Sequence, residues 1–408
     1  MEEWKEYKLI DVLEALIDYR GKTPKKVDSG IPLITAKIVK GGRINEPNEF
    51  LAEEDYDKWM VRGLPKPGDI VLTTEAPLGE VAQLDDRKIA LAQRIVTLRG
   101  KKNVLDNTYL KYYFLSNVGQ SRLKARETGT TVTGIKQSEL REVLVTCPPF
   151  VTQQKIANIL SSLDDKIEVN RRINEQLEEL AGALFKSWFV DFEPFKDGEF
   201  VDCELGMIPK GWKVGTLSDI GEVVGGATPS KSKSAYYTDN GISWITPKDL
   251  SINKDKFISK GEIDITELGY SKCSAKIMPR GSVLFSSRAP IGYIAIAKNE
   301  LCTNQGFKSV VPQLAGTAFI YYYLKNNVSN IESMASGSTF KEASGALMKS
   351  LNVIVPPSNI LQDFEEKVCS IFDKQESLEE EIHHLTTLRD TLLPKLMSGE
   401  IDVNEVKI

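Results

Sequence analysis

The sequence predicts an α/β (α+β) chain of two tandem mixed domains, separated by two long helices that pair as an antiparallel coiled coil, in a pseudo-two-fold internal repeat. Three observations predict it. A hydrophobic content of 41% with 8% aromatic residues supplies real cores over 408 residues, a length that suggests two or three domains. Residues 4–190 and 212–397 run parallel in sequence. Each half also ends in a proline pair followed by an apolar stripe of helical period.

The repeat holds in register along both halves. Trp4-Lys5 matches Trp212-Lys213, IPLITAK from Ile31 matches ISWITPK from Ile242, and GDIVLTTEAPLGEVA from Gly68 matches GSVLFSSRAPIGYIA from Gly281. Further on, Tyr113-Phe114-Leu115 answers Tyr322-Tyr323-Leu324, TGTT from Thr128 answers SGST from Ser336, and Pro148-Pro149 answers Pro356-Pro357. The offset drifts between 208 and 213, as loop insertions in a duplicated domain produce. The segments are therefore a first domain over 1–150, a central helix over 151–190, a linker and second domain over 191–357, and a C-terminal helix and tail over 358–408.

Within each domain the period switches. GSVLFSSRAPIGYIAIA, with alternating apolar positions interrupted from Arg288 to Gly292, reads as two strands about a turn. LNVIVPP and EVLVTCPP read as closing strands stopped by prolines, and TYLKYYFLSNV and TAFIYYYLKNNV as helices packed on a sheet.

After each proline pair the helical period takes over. Ile156, Leu160, Leu163, Ile167, Ile173, Leu177, Leu180, Leu184 and Trp188 form one stripe, with Asn170 on it. Phe364, Val368, Ile371, Leu378, Ile382, Leu385, Leu388, Leu392 and Leu396 form the other, with Gln375 on it. Helices of roughly 30 to 35 residues, about 45 to 50 Å, exceed what one small domain covers, so mutual pairing buries both stripes. Asn170 and Gln375 are then candidates for polar positions that set the register, and Leu163, Leu177, Leu184, Ile371, Leu378, Leu385 and Leu392 for the apolar seam.

Charge is unevenly spread. The net −5 divides into +2 over residues 1–150, −4 over 151–200, +4 over 201–357 and −7 over 358–408. The two domains are mildly basic, a weak electrostatic footprint for a nucleic-acid binder acting without help. Five cysteines, odd in number and without a CxxC, point to reduced thiols rather than disulfides or a zinc site. The first residues lack a signal-peptide pattern and no apolar run is long enough for a membrane span, so the expected location is the cytoplasm.

Four stretches carry a family likeness. ILSSLDDKIEVNRRINEQLEELAGALFKSWFVDFEP from Ile159, ELGMIPKGW from Glu204, GGATPSKSKSAYYTDNGISWITPKDL from Gly225 and LRDTLLPKLMSGEIDV from Leu388 resemble the specificity (S) subunit of Type I restriction-modification systems. The resemblance covers essentially the whole chain in order. It implies two target recognition domains, each reading half of an asymmetric bipartite site in double-stranded DNA, held apart by helices that dock methyltransferase (M) subunits, two by the symmetry of the helix ends. Restriction (R) subunits would join the larger complex. It also implies no cofactor in this chain, with S-adenosylmethionine, ATP and Mg on the partner subunits. Two other readings fit parts of the pattern: the recognition subunit of a related fused nuclease-methylase system, and a coiled-coil scaffold that binds only protein.

The residues themselves offer little for catalysis. His383 and His384, the two histidines, are adjacent on a predicted helix and point about 100° apart, so they cannot chelate one metal as an i, i+4 pair would. GGATPSKS from Gly225 carries Ser230 where a phosphate loop needs its second glycine. CPPF from Cys147 resembles the NPPY-type motif of amino-methyltransferases but lacks the polar first residue that would hold a target amino group, as does VPPS.

DNA contact requires groups that position on phosphate and groups that read base edges, drawn from Lys, Arg, Ser, Thr, Asn and Gln in loops. In the first domain these are Arg20, Lys22, Thr23, Lys25, Lys26, Thr35, Lys37, Thr74, Glu75, Gln93, Arg94, Thr130, Thr131 and Lys136. In the second they are Thr228, Ser230, Lys231, Lys233, Thr246, Lys248, Ser286, Ser287, Arg288, Asn304, Gln305, Lys308, Ser338 and Lys341. Glu75 and Arg288 occupy the same place in the repeat with opposite charge, so the first could accept from a cytosine amine and the second donate to guanine.

Overall fold

The computed structural model describes residues 4–129, 133–337 and 341–403. These form two compact units, Met1–Glu168 with His383–Ile408, and Val169–Ile382. The division crosses the four sequence segments, because the central helix (Phe150–Phe189) and the C-terminal helix (Ser358–Ser398) each lend a stretch to both units. At 40 and 41 residues, both helices exceed the expected length.

In the first unit an antiparallel sheet has the spatial order Leu13–Asp18, Ile95–Gly100, Ile70–Thr74, Leu78–Gln83. In the second the order is Gly221–Gly225, Lys308–Pro312, Val283–Ser287, Ile291–Ala297, with Phe257–Ile258 added parallel at the edge. The repeat is therefore one of topology as well as sequence. Each copy of the repeat also closes by pairing its first strand with its last, Lys5–Lys8 with Leu144–Cys147 and Lys213–Thr216 with Asn352–Val355. A short parallel pair recurs too, Ile31–Ile34 with Ala90–Leu91 and Trp244–Ile245 with Cys302–Thr303.

Period 2 puts alternate residues of a strand on opposite faces, and here both faces are covered. Ile70 and Leu72 enter one core with the tyrosine helix (Asn107–Leu115), while Val71 enters another with Ile31, Leu33 and Leu91. Val283 and Phe285 likewise face Phe319 and Tyr322, while Leu284 faces Ile245 and Leu301. Every residue of Ile70–Thr74 and Val283–Ser287 is consequently buried. The buried tyrosines of the covering helices place their hydroxyls on partners: Tyr109 donates to the Thr146 carbonyl at 2.7 Å, and Tyr113 and Tyr323 to those of Leu144 and Asn352.

Within each unit the two long helices run antiparallel. In the first, Arg389 donates to Asp164 at 2.8 Å, and Ile156, Ala157 and Leu160 share a core with Leu396 and Met397. In the second, Asn174 meets Glu379, Glu178 meets Gln375, and Phe185, Trp188 and Phe189 pack around Phe364. Of the seam candidates, Leu378 is buried and Leu163, Leu177, Leu184, Ile371, Leu385 and Leu392 are half-buried, while Asn170 and Gln375 are fully enclosed. Two stripe positions are corrected. Leu180 is 51% exposed and Leu388 38%, because the buried face near the end of the central helix passes through Ala181, Phe185 and Phe189, one position round from Leu180.

An acidic residue of the central helix fastens each domain. Asp164 accepts from Tyr112 at 2.6 Å and also pairs with Lys111 and Arg389; burial would raise its carboxyl, but these partners hold it below the usual range. Glu178 accepts from Tyr322 at 3.1 Å and pairs with Lys256 and Lys325, which hold its carboxyl down to about 2 against burial. Lys256 is itself enclosed, its Nζ 4.0 Å from the Phe372 ring centroid and 4.6 Å from that of Tyr321, donating to Gln375 at 2.7 Å. The C-terminal helix adds Glu379, which accepts the backbone N–H groups of Lys256 and Phe257. It also adds Glu365, which receives the Ala318 N–H at the start of the second tyrosine helix (Thr317–Asn326), where Gly316 has no capping side chain.

Candidate nucleic-acid interface

The antiparallel strand order brings four connections to one end of each sheet. In the first domain these are the chain after Asp18, the turn between Thr74 and Leu78, the approach to Ile95 and, from the outlying sheet, the end of Ile31–Ile34. Thr23, Lys26, Thr35, Lys37, Glu49, Gln93 and Arg94 converge there on a cavity of about 240 Å3. The Thr23 hydroxyl donates to Gln93 Oε1 at 3.0 Å, Lys26 pairs with Glu49 at 2.8 Å, and Lys37 lies 3.7 Å from the same carboxylate. The hydrogen bond from Lys26 lowers the Glu49 carboxyl. Thr35, only 8% exposed, forms part of the floor, and its hydroxyl has no partner among the described residues.

The second domain builds the corresponding groove from the same places in the repeat, at about 510 Å3. Thr228 donates to Gln305, and Lys248 pairs with Glu262. Thr246 opens the helix Pro247–Ile252 in a capping box with Asp249, which fixes Lys248 on its first turn. Asn304 turns its Oδ1 to the Gly306 N–H at 2.8 Å, so its amide nitrogen remains for the groove. Lys231, Tyr237, Trp244, Pro247 and Ile263 complete the lining. The second groove carries Tyr237 and Trp244 where the repeat gives the first domain Lys26 and Leu33, so its wall holds aromatic rings that the first groove lacks.

The charged turns beside the grooves are paired internally. Arg94 lies 3.1 Å from Glu75. In the second domain Glu342 takes both Arg288, at 3.5 Å, and Lys308, at 3.3 Å.

Other candidates fall elsewhere. Lys22, Lys25, Ser230 and Lys233 are exposed on the loops leading into the grooves, and Ser230 pairs with Ser232 at 2.9 Å. Lys136 and Lys341 are exposed, the first directly ahead of the helix Gln137–Arg141. Arg20 braces Asp18 and the Ile135 carbonyl. Three assignments are corrected: Thr74, Ser286 and Ser287 are at most 1% exposed, because the sheet is covered on both faces up to its end. Ser286 accepts the Tyr293 N–H and donates to Pro290, and Ser287 donates to the Gly306 carbonyl, so both serve the turn itself. Thr130, Thr131 and Ser338 lie outside the described residues.

Apart from Glu75, which the repeat sets against Arg288, sequence reasoning took only cations and neutral hydrogen-bonding groups and so missed Glu49, Glu262 and Glu342. The repeat held the signal for the first two, which stand 213 positions apart, within its offset. Amides, hydroxyls and lysines at one rim are equipped for base edges and phosphates, and the interleaved carboxylates keep the net attraction small. Away from this rim, Cys147 is buried in the core, and burial pushes its thiol up to about 12. No helix among the described residues is long and apolar enough to cross a membrane.

Comparison with known proteins adds independent findings. The family model described as the Type I restriction modification DNA specificity domain matches residues 1–179 and again 209–387. The Type I restriction enzyme MjaIX specificity subunit of Methanocaldococcus jannaschii is 31% identical, over 99% of this chain and 95% of that protein. The HindI specificity subunit of Haemophilus influenzae is 28% identical, over 98% and 100%. Among solved structures, the S subunit of a Type I restriction-modification system from M. genitalium superposes with a TM-score of 0.64 at 19% identity, covering 97% of this chain and 96% of that one.

Proposed function

Because the chain belongs to the Type I restriction-modification specificity subunit family, we propose that it reads an asymmetric, two-part sequence in double-stranded DNA, one half per domain, and performs no chemistry itself. The observation that carries this reading is the pair of grooves, built from matching positions of a repeated scaffold but lined differently. Matching position means each domain presents the same rim to a duplex. Different lining means each prefers different bases.

In this reading Gln93, Gln305 and Asn304 face base edges, and Lys37 and Lys248 exchange their carboxylate partners for phosphate. The long helices set the spacing between half-sites, and their exposed faces dock two methyltransferase subunits, with restriction subunits joining the assembly. S-adenosylmethionine, ATP and Mg belong to those partners. The cytoplasm is the compartment where such a complex meets DNA. The modest net charge of the domains supports a need for the partner in reaching useful affinity.

The test is co-expression with the cognate methyltransferase followed by genome-wide mapping of methylated adenines. A split motif with a fixed gap and unlike halves is expected. A continuous or palindromic motif, or no motif, contradicts the proposal.

A further inference from the structure

We propose that Glu342 is a specificity-determining counter-ion of the second domain, which holds Arg288 and Lys308 in an internal ion pair that a base edge must displace. The inference rests on the DNA-reading function proposed above.

The geometry begins with the backbone. Glu342 forms antiparallel bridges with both Arg288 and Ser336, its N–H donates to the Ser336 carbonyl at 2.9 Å, and the next N–H, of Ala343, donates to the Ser287 carbonyl at 2.9 Å. The carboxylate is thereby fixed over the turn that ends the strand Val283–Ser287. Its two oxygens then divide between Arg288 at 3.5 Å and Lys308 at 3.3 Å. Arg288 and Glu342 keep 36% and 39% of their side-chain surface open, whereas Lys308 keeps 17%. A pair this open is held weakly and can be exchanged for a better acceptor.

The physical consequence follows from how each target competes. Phosphates attract any exposed cation regardless of sequence, and each cation engaged on phosphate steepens the salt dependence of binding by about one unit. With Glu342 in place, Arg288 and Lys308 together carry one net charge rather than two, which weakens sequence-independent attraction. A guanine edge can accept two hydrogen bonds from Arg288 in a directed arrangement, which a phosphate met in passing cannot match, so correct sequence is the efficient displacer. Glu342 therefore acts through Arg288 and Lys308, as a positioning residue.

The first domain makes the same kind of pair with the signs exchanged. Its turn carries Glu75, the counter-ion is Arg94 on the approach to Ile95, and the place of Glu342 is taken by Gly134, which bridges to Glu75 and Thr128. Neutralising the counter-ion should consequently have opposite effects in the two domains.

The experiment uses the full chain with its methyltransferase partner, binding a 40-base-pair duplex that contains the mapped site and one of scrambled sequence across a salt series. E342Q keeps the backbone bridges and removes the charge. It is expected to bind the scrambled duplex about three- to ten-fold tighter, with a salt dependence steeper by about one unit, and to lose selectivity by a similar factor. E342D, which retains the charge, should keep the wild-type salt dependence, and adding R288A to E342Q should remove most of the gain. R94Q should weaken binding to the scrambled duplex. If wild type selects its site but E342Q alters neither the scrambled affinity nor the salt dependence, the counter-ion role is overturned while DNA reading stands. If wild type does not distinguish the two duplexes, the functional reading fails and this inference with it.

Discussion

The two domains share their strand order, their tyrosine helices and their closing strand pair, yet they are fastened to the helices by different chemistry. The first uses Asp164, ringed by Tyr112, Lys111 and Arg389, and where the second domain buries Lys256 beside a parallel edge strand, the first makes its parallel bridge through Gly42. The second encloses Lys256 among rings and ties it to Glu178 and Gln375, with Glu379 holding the backbone on either side of the lysine. The difference teaches that a duplicated scaffold keeps the positions where its elements cross and rewrites the polar groups placed there. The same division holds at the grooves, where a hydroxyl–amide contact and a Lys–Glu pair recur while aromatic rings line only the second.

The largest expected effect is common to the two fastenings. Glu178→Gln leaves Lys256, whose side chain is 6% exposed, without its carboxylate, and should cost the second unit about 3–5 kcal/mol. Asp164→Asn likewise leaves Lys111, whose side chain is 9% exposed, without its carboxylate, although Arg389 stays paired with Asp390, and should also cost the first unit about 3–5 kcal/mol. Hydrogen exchange of the helices Thr317–Asn326 and Asn107–Leu115 reads each unit separately. A loss well below this range in either unit would mean that its enclosed lysine is no liability.

The next effect is one of pH. Burial raises the Glu379 carboxyl to about 7, against the N–H groups that lower it, so the folded unit binds this proton more tightly than the unfolded chain. Its contribution is fully present below the ordinary value of 4.5 and is lost as pH rises to about 7, a change of order 3 kcal/mol. The second unit should accordingly lose protection between pH 5 and 7, and Glu379→Gln should flatten that slope. A slope that persists in the variant would assign the titration to another group.

Smaller effects concern the rims. Arg288→Ala should change preference in one half of the recognised sequence by about 1–3 kcal/mol and leave the other half intact, and an unchanged preference would remove Arg288 from base readout. Lys248→Ala should lower affinity uniformly across sequences and reduce the salt dependence by about one unit. A loss confined to particular bases would move Lys248 from phosphate to base contact.

The repeat, the strand–turn–strand segments, the proline-stopped strands and the two helices were legible in sequence, because each follows from a period or from punctuation. The grooves were legible in part. Thr23, Gln93, Thr228 and Gln305 are polar residues in loops and announce themselves, but Thr74, Ser286 and Ser287 look the same in sequence and are buried. Only the second covering layer, which no local pattern reveals, distinguishes them. Leu180 failed for a related reason: two faces separated by 100° both carry apolar residues, and the packing partner decides which is buried. Lys256 and Glu178 lie 78 positions apart, and nothing local to either betrays their pairing.

Exchange of residues 205–357 for the equivalent domain of another family member, with methylated adenines then mapped genome-wide, tests the central claim most directly. Independent domains on a shared pair of helices predict that one half of the motif changes while the other half and the gap persist. A change in both halves, or in the gap, would contradict the account.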